Sequence, residues 1–210
     1  MTRSAPRILH PAALLVALLV ALAALSGCLF EPRDPAPPST SSIQYLPKTS
    51  AANVWANLER SLVNTHAFGW EDNVVPEGGT PFIYIPDSQA ADQFPGVFDG
   101  WNRTKEVAFI NRLYNSDVTI TAKLKEDDFV PPDDSGGEVQ WEGVVYDVSV
   151  TSKTDGSTTR YRGRAIITFS VEGNFWYITR WEDQFGEGDP DNPDQILPTM
   201  GVLRGTFGSK

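Results

Sequence analysis

Between Asp117 and Asp183 the sequence repeatedly alternates apolar and polar residues, and such a chain is committed to a sheet before anything else. Val118, Ile120, Ala122 and Leu124 alternate with Asp117, Thr119, Thr121 and Lys123, the pattern of a half-buried strand. Residues 139–152 and 159–171 read as two long strands. They are joined through 153–157, where Asp155-Gly156 is a strong hairpin signal. A tighter turn at Glu172-Gly173-Asn174 leads into a strand over 175–183, so the last three strands form an antiparallel meander. Strands well beyond the usual five or six residues imply a sheet that bends. Phe175, Tyr177 and Trp181 fall on one parity of the last strand and Trp176 on the other, which predicts cover on both faces.

Helices precede this sheet. Ser50 is a plausible N-cap, and Val54, Trp55, Leu58 and Leu62 recur at helical spacing to about Asn64. Residues 82–85, closed by Pro86, read as a short strand. A second amphipathic helix spans 102–115, with Val107, Ile110, Leu113 and Tyr114 on one face and Asp99 or Asn102 as its cap. Helices followed by long antiparallel strands predict an α+β fold with the helices on one face of the sheet.

The first 48 residues have a different character. Arg3 and Arg7 precede an unbroken run of Ala, Leu and Val over 12–25, short for a membrane span but suited to a secretory signal. The run ends in Leu25-Ser26-Gly27-Cys28, which resembles the bacterial lipobox. That resemblance implies cleavage between Gly27 and Cys28 and acylation of Cys28, a partnership with the membrane through an N-terminal lipid anchor, and residence in the bacterial cell envelope. Leu29 in place of Asp favours the outer membrane if the host is Gram-negative. Five prolines and four Ser/Thr residues in 31–48 then predict a disordered, extended linker. The expected organisation is a signal peptide over 1–27, a lipidated cysteine and tether over 28–48, and one domain over 49–210. Cleavage would remove Arg3 and Arg7 and take the net charge from −10 to −12. So acidic a chain is unsuited to nucleic acid. Two histidines and one cysteine exclude intrachain disulfides and Cys/His zinc sites.

Trp176-Tyr177-Ile178-Thr179-Arg180-Trp181-Glu182-Asp183, following the Tyr161-Arg162-Gly163-Arg164 strand, resembles the terminal hairpin of the NTF2-like/SnoaL-like superfamily. The opening helix from Ala51 to Glu59 is similar to the first helix of bacterial lipoproteins in that superfamily. The stretch from Thr199 to Gly205 is similar to their C-terminal segment, with Met200 where a Trp is expected. The resemblance covers about 49–207 and implies a cone: a curved antiparallel sheet wrapped around helices and an apolar pocket. It also implies a homodimer through the sheet face.

Candidate pocket residues are Trp55, Tyr84, Phe109, Tyr146, Trp176 and Asp183. The leading expectation is a non-catalytic domain that binds a small apolar ligand or a protein partner, with no catalytic residues, cofactor or metal. The alternative is an isomerase, dehydratase or cyclase with a pocket Asp as base and a Tyr as donor, drawn from Tyr84, Tyr114, Tyr146, Asp147 and Asp183. His66 has no nucleophile elbow to serve, and Asp189–Asp194 fails the EF-hand spacing because position 5 is Pro193. Arg160, Arg162 and Arg164 alternate on one strand face, with Glu142 or Glu182 as expected partners.

Overall fold

A computed structural model describes residues 43–208. Cys28, Gly27 and the apolar run lie outside the described residues. The described residues begin at Ile43, inside the 28–48 stretch expected to be tether. Residues just ahead of the first helix are held by Asn57, whose side chain bonds both the N–H and the carbonyl of Leu46 (2.7 and 2.9 Å).

Helix α1 (Ala51–Val63) starts where Ser50 accepts from the Asn53 N–H at 3.2 Å, and it buries Val54, Trp55, Leu58 and Leu62. A short helix α2 (Ala67–Glu71) follows, then strand β1 (Ile83–Ile85) and helix α3 (Ser88–Gln93). Asp87 caps α3 by accepting from the N–H groups of Gln89 and Ala90. Helix α4 (Arg103–Tyr114) is capped by Asn102, not Asp99. Its buried face is Glu106, Phe109, Ile110 and Leu113, so the face is rotated from the expected one and Val107 is only half-buried.

The sheet runs β2 (Val118–Lys123), β3 (Glu138–Ser152), β4 (Thr158–Glu172) and β5 (Phe175–Gly186), antiparallel throughout. Its order is β1-β5-β4-β3-β2, and β1 adds in parallel along β5. A small hairpin, β6 (Gly188–Asp189) with β7 (Asn192–Ile196), carries the acidic Asp189–Asp194 segment that fails the EF-hand spacing. Helix α5 (Met200–Gly208) ends the described chain. The α+β expectation therefore holds: α1 packs on β2 and β5 and α5 packs on β4, filling one face of a curved, unclosed sheet.

Cover on the outer face is partial, with Val145 buried and Tyr177 half-buried beneath Lys48, and bulges decide which aromatics turn inward. Register slips between Thr168↔Arg180 and Phe169↔Ile178, so one extra residue, Thr179, sits on β5. Trp176 and Ile178 face inward before the bulge, and Trp181 and Asp183 face inward after it. The same device at Glu142-Gly143 turns Val139 and Trp141 into register with Val144, Tyr146 and Val148. Each bulge inverts the parity of its strand and bends the sheet, so a single inner face collects aromatics from both parities.

Candidate functional site

Inside the cone the packing is dominated by aromatics. Trp55, Trp70, Trp141 and Trp181 are each at most 2% exposed, and Trp55 touches Trp181, Trp141 and Phe169 at ring-centroid distances of 5.1, 6.0 and 6.0 Å. Embedded among them is a buried polar centre with two carboxylates and one guanidinium.

The first carboxylate is Asp183, on β5. Tyr84 Oη donates to its Oδ2 at 2.6 Å; Tyr146 Oη and Trp181 Nε1 donate to its Oδ1 at 2.7 and 2.8 Å. Strand pairing explains how these groups meet. The parallel addition of β1 sets Tyr84 beside Trp181, two residues from Asp183. Tyr146 stands on β3, with β4 intervening, and crosses because β4 carries Gly163 there. A Cβ on Gly163 would lie 2.6 Å from the Tyr146 hydroxyl. The Tyr146 oxygen in turn accepts the Met200 N–H at 2.9 Å, tying the start of α5 to the same centre.

The second carboxylate is Glu106, on the inner face of α4. Trp70 Nε1 donates to its Oε1 at 3.2 Å and Trp101 Nε1 to its Oε2 at 2.8 Å. Arg204, from α5, completes it with Nη2 to Oε1 at 2.8 Å and Nε to Oε2 at 3.0 Å. The Arg204 guanidinium carbon lies 4.3 Å from the Tyr84 ring centroid, 4.6 Å from that of Trp181 and 5.5 Å from that of Phe109. Both Arg204 and Glu106 are fully buried.

Burial pushes the Asp183 carboxyl above its ordinary value, against the charge of Arg204 and the three donors. The same burial, with the Asp183 charge beside them, holds Tyr84 and Tyr146 well above the ordinary tyrosine value, so both remain neutral donors. Among the described residues Asp183 meets three donors and no acceptor, the arrangement that suits an ionised carboxylate. Chemically this is a base flanked by two phenols, but Asp183 and Tyr84 are each 3% exposed and Tyr146 is fully buried.

Of the expected pocket residues, Tyr84, Tyr146 and Asp183 come together directly, Phe109 borders them through Arg204, and Trp55 packs on Trp181. Trp176 is buried elsewhere, where its N–H meets the Lys48 carbonyl at 2.9 Å. Tyr114 lies apart, against Ser61 at 3.2 Å. Asp147 faces outward. It binds Arg160 at 2.6 Å and Arg162 at 3.2 Å, and Arg162 also pairs with Glu126. Arg164 pairs with Glu187 at 2.7 Å, so the arginine ladder uses neither Glu142 nor Glu182; Glu182 pairs with Arg180 instead. His66 ends up bonded through Nδ1 to Tyr45 at 2.8 Å.

Glu106 and Arg204 escaped the sequence reading. Glu106 is three residues before Phe109 and seven before Leu113, on their helical face, and Arg204 is the lone charge in an apolar, glycine-rich stretch. A charge in phase with a buried stripe was the available signal.

No family model matches this chain, and no curated protein matches it. Several solved structures are similar to it. An NTF2-like superfamily protein of Salmonella enterica shares 14% identity over 64% of this chain and 92% of its own, with a TM-score of 0.44. An LEH-like epoxide hydrolase of Mycobacterium tuberculosis shares 16% over 77% and 91%, at 0.40. A conserved protein of Planctomyces limnophilus shares 12% over 63% and 91%, at 0.47. These are likenesses of fold alone.

Proposed function

We propose that this chain is a bacterial envelope lipoprotein, acylated at Cys28, whose NTF2-like domain is a non-catalytic module that binds a partner protein on its surface. The observation that carries this reading is the filled cone: four tryptophans, Phe109 and Phe169 occupy the interior at 2% exposure or less. A small-molecule site is normally a preformed concavity of several hundred cubic ångströms. The described cavities lie elsewhere. One of about 450 Å³ opens on the outer face between Arg160, Arg162, Asp147 and Glu126, and one of about 250 Å³ lies between the 75–82 segment and the start of α4. No helix among the described residues is long and apolar enough to cross a membrane. In this reading attachment is through the acylated Cys28. Acyl chains contribute roughly 0.8 kcal/mol per buried methylene to such attachment. The outer sheet face, with its Arg160–Arg162–Arg164 row, is the surface offered to a protein partner or a second copy.

The enzymatic reading retains one observation in its favour, the Asp183 carboxylate set between Tyr84 and Tyr146. Native mass spectrometry of the full chain from its host membrane separates the two. The expected spectrum is acylated polypeptide without a small molecule, and a stoichiometric apolar metabolite would overturn the surface-binding reading. Labelling with a palmitate analogue, lost in Cys28→Ser, tests the anchor; labelling that persists in Cys28→Ser, or is absent from the parent chain, refutes it.

A further inference from the structure

We propose that the centre of the cone is a recognition site for an alkylguanidinium group, and that Arg204 on the C-terminal helix occupies it as an internal ligand that an external guanidinium can replace. This inference does not depend on the surface-binding reading.

Three observations carry it. First, the site is built without Arg204. Glu106 is held by the indole N–H groups of Trp70 and Trp101, one on each oxygen, which leaves the carboxylate aimed and still able to accept a forked cation. Tyr84, Trp181 and Phe109 present ring faces to the cation at 4.3–5.5 Å, and the Asp183 charge acts on the same guanidinium. One carboxylate in forked contact and three aromatic faces, with a second carboxylate charge acting on the same group, amount to a cage for a planar cation.

Second, Arg204 fills that cage incompletely. Its Nη1 is buried with no hydrogen-bond partner among the described residues, whereas buried polar groups are ordinarily paired. An internal residue delivered by a helix backbone has only the positions that backbone allows. A free guanidinium is not so constrained.

Third, the element that delivers Arg204 depends on being docked. Helix α5 has nine residues, fewer than an isolated helix needs to persist in water. Gly201 and Gly205 lower its intrinsic stability further. Both glycines are demanded by contact, since a Cβ would fall 2.7 Å from Ala90 and 2.2 Å from the Phe94 ring. A short, glycine-containing helix held mainly by its contacts is a natural unit of local opening. A surface cavity of about 280 Å³, whose lining includes Val97, Trp101, Lys105, Ala108, Arg112 and Gly208, lies against its end. Trp101 lines that cavity and also binds Glu106, so a route from the surface stops one side chain from the cage.

Hydrogen exchange on the full chain tests this directly. Millimolar N-ethylguanidinium at constant ionic strength, with sodium as the reference cation, should capture the open form. Exchange of the amides of residues 200–208 should then accelerate saturably, on the order of tenfold when the ligand stands near ten times its dissociation constant. The amides of α1 should be unaffected. Exchange of α5 that ignores the ligand, or that accelerates only together with α1, overturns the proposal. Glu106→Gln should abolish the acceleration, and persistence in that variant places the ligand elsewhere and also overturns it. In Arg204→Ala the same ligand should raise the thermal midpoint where sodium does not, and a folded variant that fails to respond counts against the cage. If neither variant folds, the parent chain's exchange decides. A blocked Gly-Arg-Gly peptide run in parallel identifies the source: a stronger effect than N-ethylguanidinium points to an arginine on a protein, a weaker one to a small guanidino compound.

Discussion

A guanidinium and a carboxylate at the centre of an aromatic core set a problem of free energy at the level of single residues. Desolvating each ion costs several kcal/mol, and mutual attraction offsets that only with good geometry. The Arg204–Glu106 pair has a forked contact, two indole donors on the carboxylate and three rings against the cation. Arg204→Met should therefore destabilise the fold by about 3–5 kcal/mol, because it strands the Glu106 charge among Trp70, Trp101 and Phe109. Adding Glu106→Gln to that variant should recover part of the loss. Urea unfolding of the two single variants and the double variant yields the coupling, and strictly additive losses would mean that the pair does not act as a unit. Asp183 is a different case, since its neighbours are neutral donors and its nearest cation is already shared with Glu106.

The elements show where sequence reading succeeds and where it stops. The long strands, α1 and α4 were legible because their boundaries carry local chemistry: the Ser50 cap, the Asp155-Gly156 turn and the sustained alternation. Their faces were less legible. Parity inverts at Gly143 and Thr179, and a bulge is a tertiary solution with almost no local signature. Gly143 is the partial exception, with φ of +66° in the left-handed region. The site follows the same division. Tyr84, Tyr146 and Asp183 could be named as candidates, but nothing local states that β1 adds parallel to β5 or that Gly163 lets Tyr146 cross β4. Helices α2, α3 and α5 were missed because they are short and are held by contacts with distant residues, such as the bond from Arg112 to the Phe207 carbonyl at 2.8 Å. Gly143→Ala should cost about 1–2 kcal/mol through the left-handed backbone alone. Deleting Gly143 should be far worse, because it turns Val139 and Trp141 outward or Val144, Tyr146 and Val148 outward. Thermal unfolding of the two variants checks this, and equal midpoints would mean that the register is not set at the bulge.

For the whole molecule, the buried phenols set an alkaline limit on stability. Tyr84 and Tyr146 keep their protons in the folded state well beyond the ordinary value of 10.0, while the unfolded chain releases them near that value. Above about pH 10 the unfolded state binds fewer protons than the folded state, so stability falls as pH rises. The slope is about 1.4 kcal/mol per pH unit for each tyrosine, hence about 3 kcal/mol per unit for the two together. Their full contribution is present below pH 10 and is lost on the way up to their folded values. Asp183 has the same sign at the acid end. Its folded value is raised above 3.8, so its protonated form favours the fold, and that contribution fades as pH rises through the raised value. Urea midpoints measured across the alkaline range should fall steeply for the parent chain. Tyr84→Phe and Tyr146→Phe should each remove about half of the two-tyrosine slope, although each variant starts from lower stability at neutral pH because Asp183 loses a donor. A slope unchanged by both substitutions would show that the phenols ionise inside the folded protein, and with it that the interior admits water and hydroxide to the very centre that the packing closes.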